Sequence, residues 1–171
     1  MQADGNPLDH AEDLIAQGRA KEAATLLFDP IEEGRGGLLA RFTLTRALLA
    51  ANDAGEAVRV ARETAMLNPS VATAAVSLGE ALRAAGTLPT AIGEFQRALR
   101  IDPSLDEARF GLGRAWLDAG EAEKALEAFA QIENPSEELQ AVIAQAEAAK
   151  DQARSDARYV RHLFAQFSID Y

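Results

Sequence analysis

The chain has 171 residues, no cysteine, and 17 lysines and arginines against 27 aspartates and glutamates, a formal charge of −10. Disulfides and thiolate metal sites are thereby excluded, and the acidic excess argues against nucleic acid, whose phosphates need basic side chains to neutralise them. Hydrophobic residues make up 48% but aromatics only 6%, and no apolar run approaches the ~18 residues of a membrane span, so no membrane partner is expected.

Met1 to Asn6 lacks the basic start and apolar core of a secretory signal, which makes the cytoplasm the expected compartment. Helical periodicity then begins. The first pair of helices is expected at Leu8 to Gln17 and Ala20 to Phe28, the second at Gly37 to Ala51 and Glu56 to Leu67. The stretch Glu32-Glu33-Gly34-Arg35-Gly36-Gly37 between them has the character of a glycine-rich hinge. It is no phosphate loop, which needs a preceding strand and a following lysine with serine or threonine. Further pairs are expected at Val71 to Ala85 with Leu88 to Arg100, and at Leu105 to Ala119 with Ala122 to Gln131. Pro69 and Pro103 stop one helix, and Ser70 and Ser104 are placed to cap the next.

After the break at Asn134-Pro135, Ser136 is placed to cap a last helix running to about Arg154. Its stripe of Leu139, Val142, Ile143 and Ala146 would cover the exposed face of the final hairpin, with Glu137, Glu138, Gln145, Lys150 and Asp151 facing water. From 155 to 171 follows a tail that is charged at first. Its Tyr159, Val160, Leu163, Phe164 and Phe167 recur at helical spacing as an apolar docking stripe.

A ladder runs through these elements. Ala23, Ala57, Ala91 and Ala125 are spaced by 34, with Gly18, Asn52, Gly86 and Gly120 five residues before each and Leu14, Leu48, Leu82 and Trp116 nine before. The glycine or asparagine turns the chain between two helices. The alanine lets the helices approach, and Leu27, Ala61, Phe95 and Phe129 lie one turn further on, so that small meets large. A fixed period of this length describes units that bury their apolar faces only by stacking.

The strongest units are Leu78, Gly79, Leu82, Gly86, Ala91, Phe95, Ala98 and Pro103, then Leu112, Gly113, Trp116, Gly120, Ala125 and Phe129. They resemble the tetratricopeptide repeat (TPR). The second unit keeps Leu44, Leu48, Ala57 and Pro69 but has Thr45 and Ala61 where glycine and an aromatic are usual, and the first keeps little beyond Leu14, Gly18, Ala23 and Leu27. The resemblance implies an all-α, right-handed superhelical solenoid of four hairpins, with units at about 4–34, 38–69, 70–103 and 104–135. A capping helix at 136–154 and the tail at 155–171 complete the chain.

By that resemblance the first helix of every unit faces a concave groove. Phe42, Val76 and Phe110 would point inward as an apolar stripe, flanked by Arg46, Glu80 and Arg114 and then by Leu49, Arg83 and Leu117. Such a groove suits an extended or helical peptide with apolar anchors and some acidic residues, because guanidinium groups bind carboxylates bidentately. The competing structural role of Phe42 and Phe110 is packing against adjacent helices. Some TPR domains clamp the terminal carboxylate of chaperones with lysine and asparagine, and these positions do not match that clamp.

Catalytic patterns fail in turn. His10 and His162 are the only histidines and lie far apart, no serine occupies a Gly-x-Ser-x-Gly elbow, and Gly113 stands where a calcium loop starting at Asp102 needs its glutamate. Trp116 occupies the place of the third glycine of a dinucleotide fingerprint. The chain is therefore expected to be no enzyme and to hold no cofactor or metal. Three functions follow as expectations. The first is a protein or peptide-binding module that recruits for a larger protein. The second rests on the tail, Tyr159 to Tyr171, which resembles the lead-in to bacterial methyltransferase domains fused to such repeats. This chain would then precede a catalytic domain lying beyond Tyr171 and using S-adenosylmethionine. The third is a self-association scaffold, a homo-oligomer formed through the tail.

Overall fold

A computed structural model describes residues 6–167, and in that span the chain forms nine α-helices. Four antiparallel hairpins follow one another: α1 (Pro7–Ala16) with α2 (Ala20–Glu32), α3 (Gly37–Ala50) with α4 (Ala54–Leu67), α5 (Ala72–Ala84) with α6 (Leu88–Ile101), and α7 (Asp106–Asp118) with α8 (Ala122–Phe129). The last helix, α9 (Glu137–Phe167), is 31 residues long. Each helix packs on its neighbours in sequence, and α1, α3, α5, α7 and α9 also pack on one another in order. The even-numbered helices pack chiefly on flanking odd ones, with α2 and α4 also joined through Arg59, which pairs with Glu32 at 2.8 Å and lies 5.7 Å over the Phe28 ring, so the odd helices form a continuous inner wall and the even helices the outer one.

The rung nine residues before each alanine has a hydrogen-bonding role besides its packing role. Gly18, Asn52, Gly86 and Gly120 all have positive φ, and the residue after each donates its backbone N–H back to the carbonyl of Leu14, Leu48, Leu82 or Trp116 at 2.8–2.9 Å. This left-handed cap satisfies helix-end carbonyls and reverses the chain. The glycine-rich joint uses the same device, because Gly34 has positive φ and Arg35 donates to the carbonyl of Pro30 at 2.7 Å.

Packing between units rests on matched volumes. The Phe95 ring is fully buried, and a Cβ added at Gly79 or Gly111 would lie 2.8 or 2.2 Å from it. Glycine is thus the one residue that fits on either side of that ring. Phe129 repeats the arrangement against Gly113, where a Cβ would come within 2.2 Å. In the second unit Thr45 and Ala61 occupy the corresponding rungs, both buried, with the bulk moved from the outer helix to the inner one. Thr45 meets its own polar demand by donating its hydroxyl to the carbonyl of Arg41 at 2.9 Å.

Several sequence expectations need correction. Ser70 and Ser104 cap nothing: the residues flanking the helix starts are Val71 and Leu105, without a side-chain cap, and the Ser104 hydroxyl donates instead to Asp102 at 2.7 Å. Ser136 does accept from the Leu139 N–H, at 3.2 Å. Helix α2 continues past Phe28 through Pro30 to Glu32, because burial of Ile31 in the core outweighs the hydrogen bond lost at proline. At the other end α8 stops at Phe129, short of Gln131.

The final helix departs most. It does not end near Arg154 but runs unbroken through Ser155 and Asp156 to Phe167, since the polar segment holds no proline or glycine to break it. Its first half covers the array: Leu139 and Ala146 are buried against Ala125 and Phe129, with Val142 and Ile143 beside them. Lys150, expected in water, is half-buried and lies 3.6 Å from Glu123 of α8. His10 is exposed.

Candidate functional site

The inner wall carries a cavity of about 380 Å³ between α3 and α5. Phe42, Leu49 and Val76 form its apolar lining, Thr45, Thr73 and Ser77 add hydroxyls, and Arg46 and Glu80 close its charged rim. The helical register explains this grouping. Residues 42, 45, 46 and 49 make one stripe on α3, and 73, 76, 77 and 80 make the facing stripe on α5.

Five of the nine expected groove residues therefore meet around one cavity, and four do not. Arg83 is tied to Asp118 of α7 at 2.8 Å and to Glu80 at 3.2 Å. Its burial opposes ionisation, but the hydrogen bonds and charges of Asp118 and Glu80 outweigh this and raise its pKa above the usual arginine value. Phe110 is half-buried, its ring centroid 6.1 Å from that of Phe129, and it lines a separate, smaller cavity of about 240 Å³ at the start of α9. The Arg114 guanidinium lies 5.5 Å over the Phe110 ring. Leu117 packs into the cluster that joins α8 and α9. Phe110 thus takes the packing role, while Phe42 packs on the core with one side and lines the cavity with another.

The charges at the rim are already matched within the chain. Glu12 of α1 accepts two hydrogen bonds from Arg46, both at 2.9 Å, and a third from the Thr43 hydroxyl at 3.0 Å. Glu12 lies 34 residues before Arg46, on the same rung of the preceding unit, so the period itself points to it. Thr73 and Ser77 carry no comparable signal, because small hydroxyl residues are equally common on solvated helix faces.

Of the tail residues, Tyr159, Val160 and Phe164 are exposed. The side chains of Leu163 and Phe167, and residues 168–171, lie outside the described part. Among the described residues no group of three or more His, Cys, Asp or Glu side chains is placed to hold a metal ion, and no helix is long and apolar enough to cross a membrane.

Stacked hairpins with a 34-residue register and a wall of alternate helices define an all-α helical repeat solenoid. Two family models, each described as tetratricopeptide repeat, match residues 42–106 and 82–161, and this part of the chain is a tetratricopeptide-repeat domain. No curated protein matches the sequence significantly. Among solved structures, the chain is similar to TTC0263, a thermophilic TPR protein of Thermus thermophilus. The TM-score is 0.71 at 22% identity, over 95% of this chain and 96% of that one. It is similar to YrrB, a TPR protein with an unusual peptide-binding site, with a TM-score of 0.61 at 20% identity over 82% of this chain and 71% of that one. It is also similar to the second TPR domain of human RPAP3, solved in complex with an HSP70 peptide, with a TM-score of 0.57 at 21% identity over 64% of this chain and 91% of that one.

Proposed function

We propose that the chain is a protein-interaction module that binds a peptide segment of a partner on its inner wall, without turnover. One observation carries the proposal: the cavity between α3 and α5 has Phe42, Leu49 and Val76 as an apolar lining within a ring of hydroxyls, the composition of a pocket that takes one apolar anchor and orients it by a few polar contacts. Two structural neighbours, one solved with an HSP70 peptide and one described by its peptide-binding site, agree with this use of the fold.

The preference for acidic ligands expected from Arg46, Arg83 and Arg114 plays the smaller part here. Glu12 holds Arg46 and Asp118 holds Arg83, so an incoming carboxylate must displace one already in place, and the apolar anchor supplies most of the affinity. The test is peptide display against the folded chain, followed by NMR titration with a selected peptide. Shifts should centre on Thr45, Val76 and Ser77, and Val76→Asp should weaken binding by about tenfold or more, as expected for a charge placed in an apolar pocket. Selected peptides whose shifts map to the outer helices, or whose affinity ignores Val76→Asp, would refute the reading.

A further inference from the structure

Because the hairpins are antiparallel, the ends of the even helices and the starts of the odd ones share one edge of the solenoid. Two contacts fix the register there: Arg41 of α3 lies 3.4 Å from Glu63 of α4, and Arg97 of α6 donates to the Pro69 carbonyl at 3.3 Å. Along this edge the ends of α4 and α6 leave Met66, Leu67 and Ile101 74%, 64% and 37% exposed. Leu67 and Ile101 occupy the same rung one period apart, so the three make one apolar patch, of the kind that marks a contact surface.

Arg62 and Arg100 flank the patch. Of the arginines on these two helices, Arg59 is held by Glu32 and Glu56 and Arg97 by Glu94. Arg62 and Arg100 are exposed and have no acidic partner among the described residues. Arg62 and Met66 lie one turn apart on the side of α4 opposite the buried Ala57, Val60, Ala61 and Thr64, and Arg100 repeats the rung of Met66. The basic, apolar patch therefore leans toward the outer wall.

Further along the same edge the sign reverses. The cavity of about 240 Å³ between the starts of α7 and α9 is lined by Phe110 and Ile132, both half-buried, and by the exposed Glu107 and Glu138. Glu133 and Glu137 are exposed on the same segment of chain. Asp106 is held by Arg109 at 2.7 Å, but these four glutamates have no basic partner among the described residues. Residues 107 and 110 take the rungs on α7 that Thr73 and Val76 take on α5, so this patch leans toward the inner wall.

We infer that two copies of the chain pair through this edge, with Met66 and Leu67 of each over the Phe110 and Ile132 cavity of the other, and Arg62 and Arg100 against its glutamates. Patches of opposite sign lie diagonally across one edge, and half a turn about the normal to that edge lays each on the other. Both contacts then form at once, and the assembly closes as a two-fold dimer. Methionine suits such a cavity because its flexible side chain fills irregular apolar space. The cavity between α3 and α5 takes no part, so this contact is separate from peptide binding.

Sedimentation of the full chain over a range of concentrations tests the inference. The mass should rise from the 18.3 kDa monomer to twice that and stop, and added salt should shift the balance back as it screens the contact. Arg62→Glu with Arg100→Glu, and separately Glu107→Arg with Glu138→Arg, should each weaken dimerisation about tenfold or more, as expected for like charges set across an interface. All four substitutions together should recover it. Met66→Asp should weaken it as well, because it places a carboxylate against the glutamates of the other copy. The substituted positions are exposed, and circular dichroism verifies the fold of each variant. A monomer at every concentration overturns the inference, and so does growth beyond a dimer. Association indifferent to the reversed charges, which would signify pairing through another surface, also overturns it, as does a fourfold variant that fails to recover.

Discussion

The second and third hairpins meet the same packing requirement in opposite ways. In the third, a fully buried Phe95 projects from the outer helix onto Gly79, and the next unit adds Gly111 on its other side. In the second, the outer position is Ala61 and the inner one Thr45, and the turn that glycine makes elsewhere is made by Asn52 with φ of 61°. The repeat pattern is thus a rule about summed volume and backbone torsion, not about residue identity at each rung. The second unit fulfils that rule while freeing Thr45 to line the inner cavity.

The most damaging way to break the contrast is Gly111→Ala. The new methyl would sit 2.2 Å from the Phe95 ring, and a loss of about 3 kcal/mol is expected from such overpacking, read as a fall in denaturation midpoint. Adding Phe95→Leu should recover a good part of it, whereas no recovery would show that the ring is not the obstacle. An intermediate effect is expected from converting the second unit into the third. Ala61→Phe alone should cost about 2 kcal/mol, and combining it with Thr45→Gly should recover about 1 kcal/mol of that in a double-mutant cycle. Additive costs would mean that these rungs do not share one volume. The smallest effect sharpens the comparison at the turn. Asn52→Gly should raise stability by about 0.5 kcal/mol, because glycine adopts the left-handed conformation without the steric cost asparagine bears. A lower melting temperature would contradict the account of that turn.

Most of the fold was legible because each helix pair repeats a few rungs whose jobs are local: a positive-φ turn, a small residue at the crossing, an apolar contact one turn on. The grouping of Phe42, Arg46, Leu49, Val76 and Glu80 could be anticipated from the same register. Partners of the charges could not. Nothing about Arg46 or Arg83 as letters distinguishes a guanidinium open to a ligand from one already held, although Glu12 lies one period away. The end of α9 misleads for a different reason. Ser155 and Asp156 look like a linker by composition, yet helices end where backbone torsion or hydrogen bonding stops them, and no residue there does so. Pro30 misleads in the opposite direction, because burial of Ile31 sets the extent of α2 more strongly than the missing donor does.

The single ring of Phe95 touches glycines from two successive hairpins, so it works as a keystone shared by both. Opening either hairpin uncovers one of its faces to water. The third and fourth units are therefore bound to come apart as one block, while the first, joined to its neighbour by the exposed pairs Glu12 with Arg46 and Glu32 with Arg59 instead of a fully buried ring, is where fraying of the array begins.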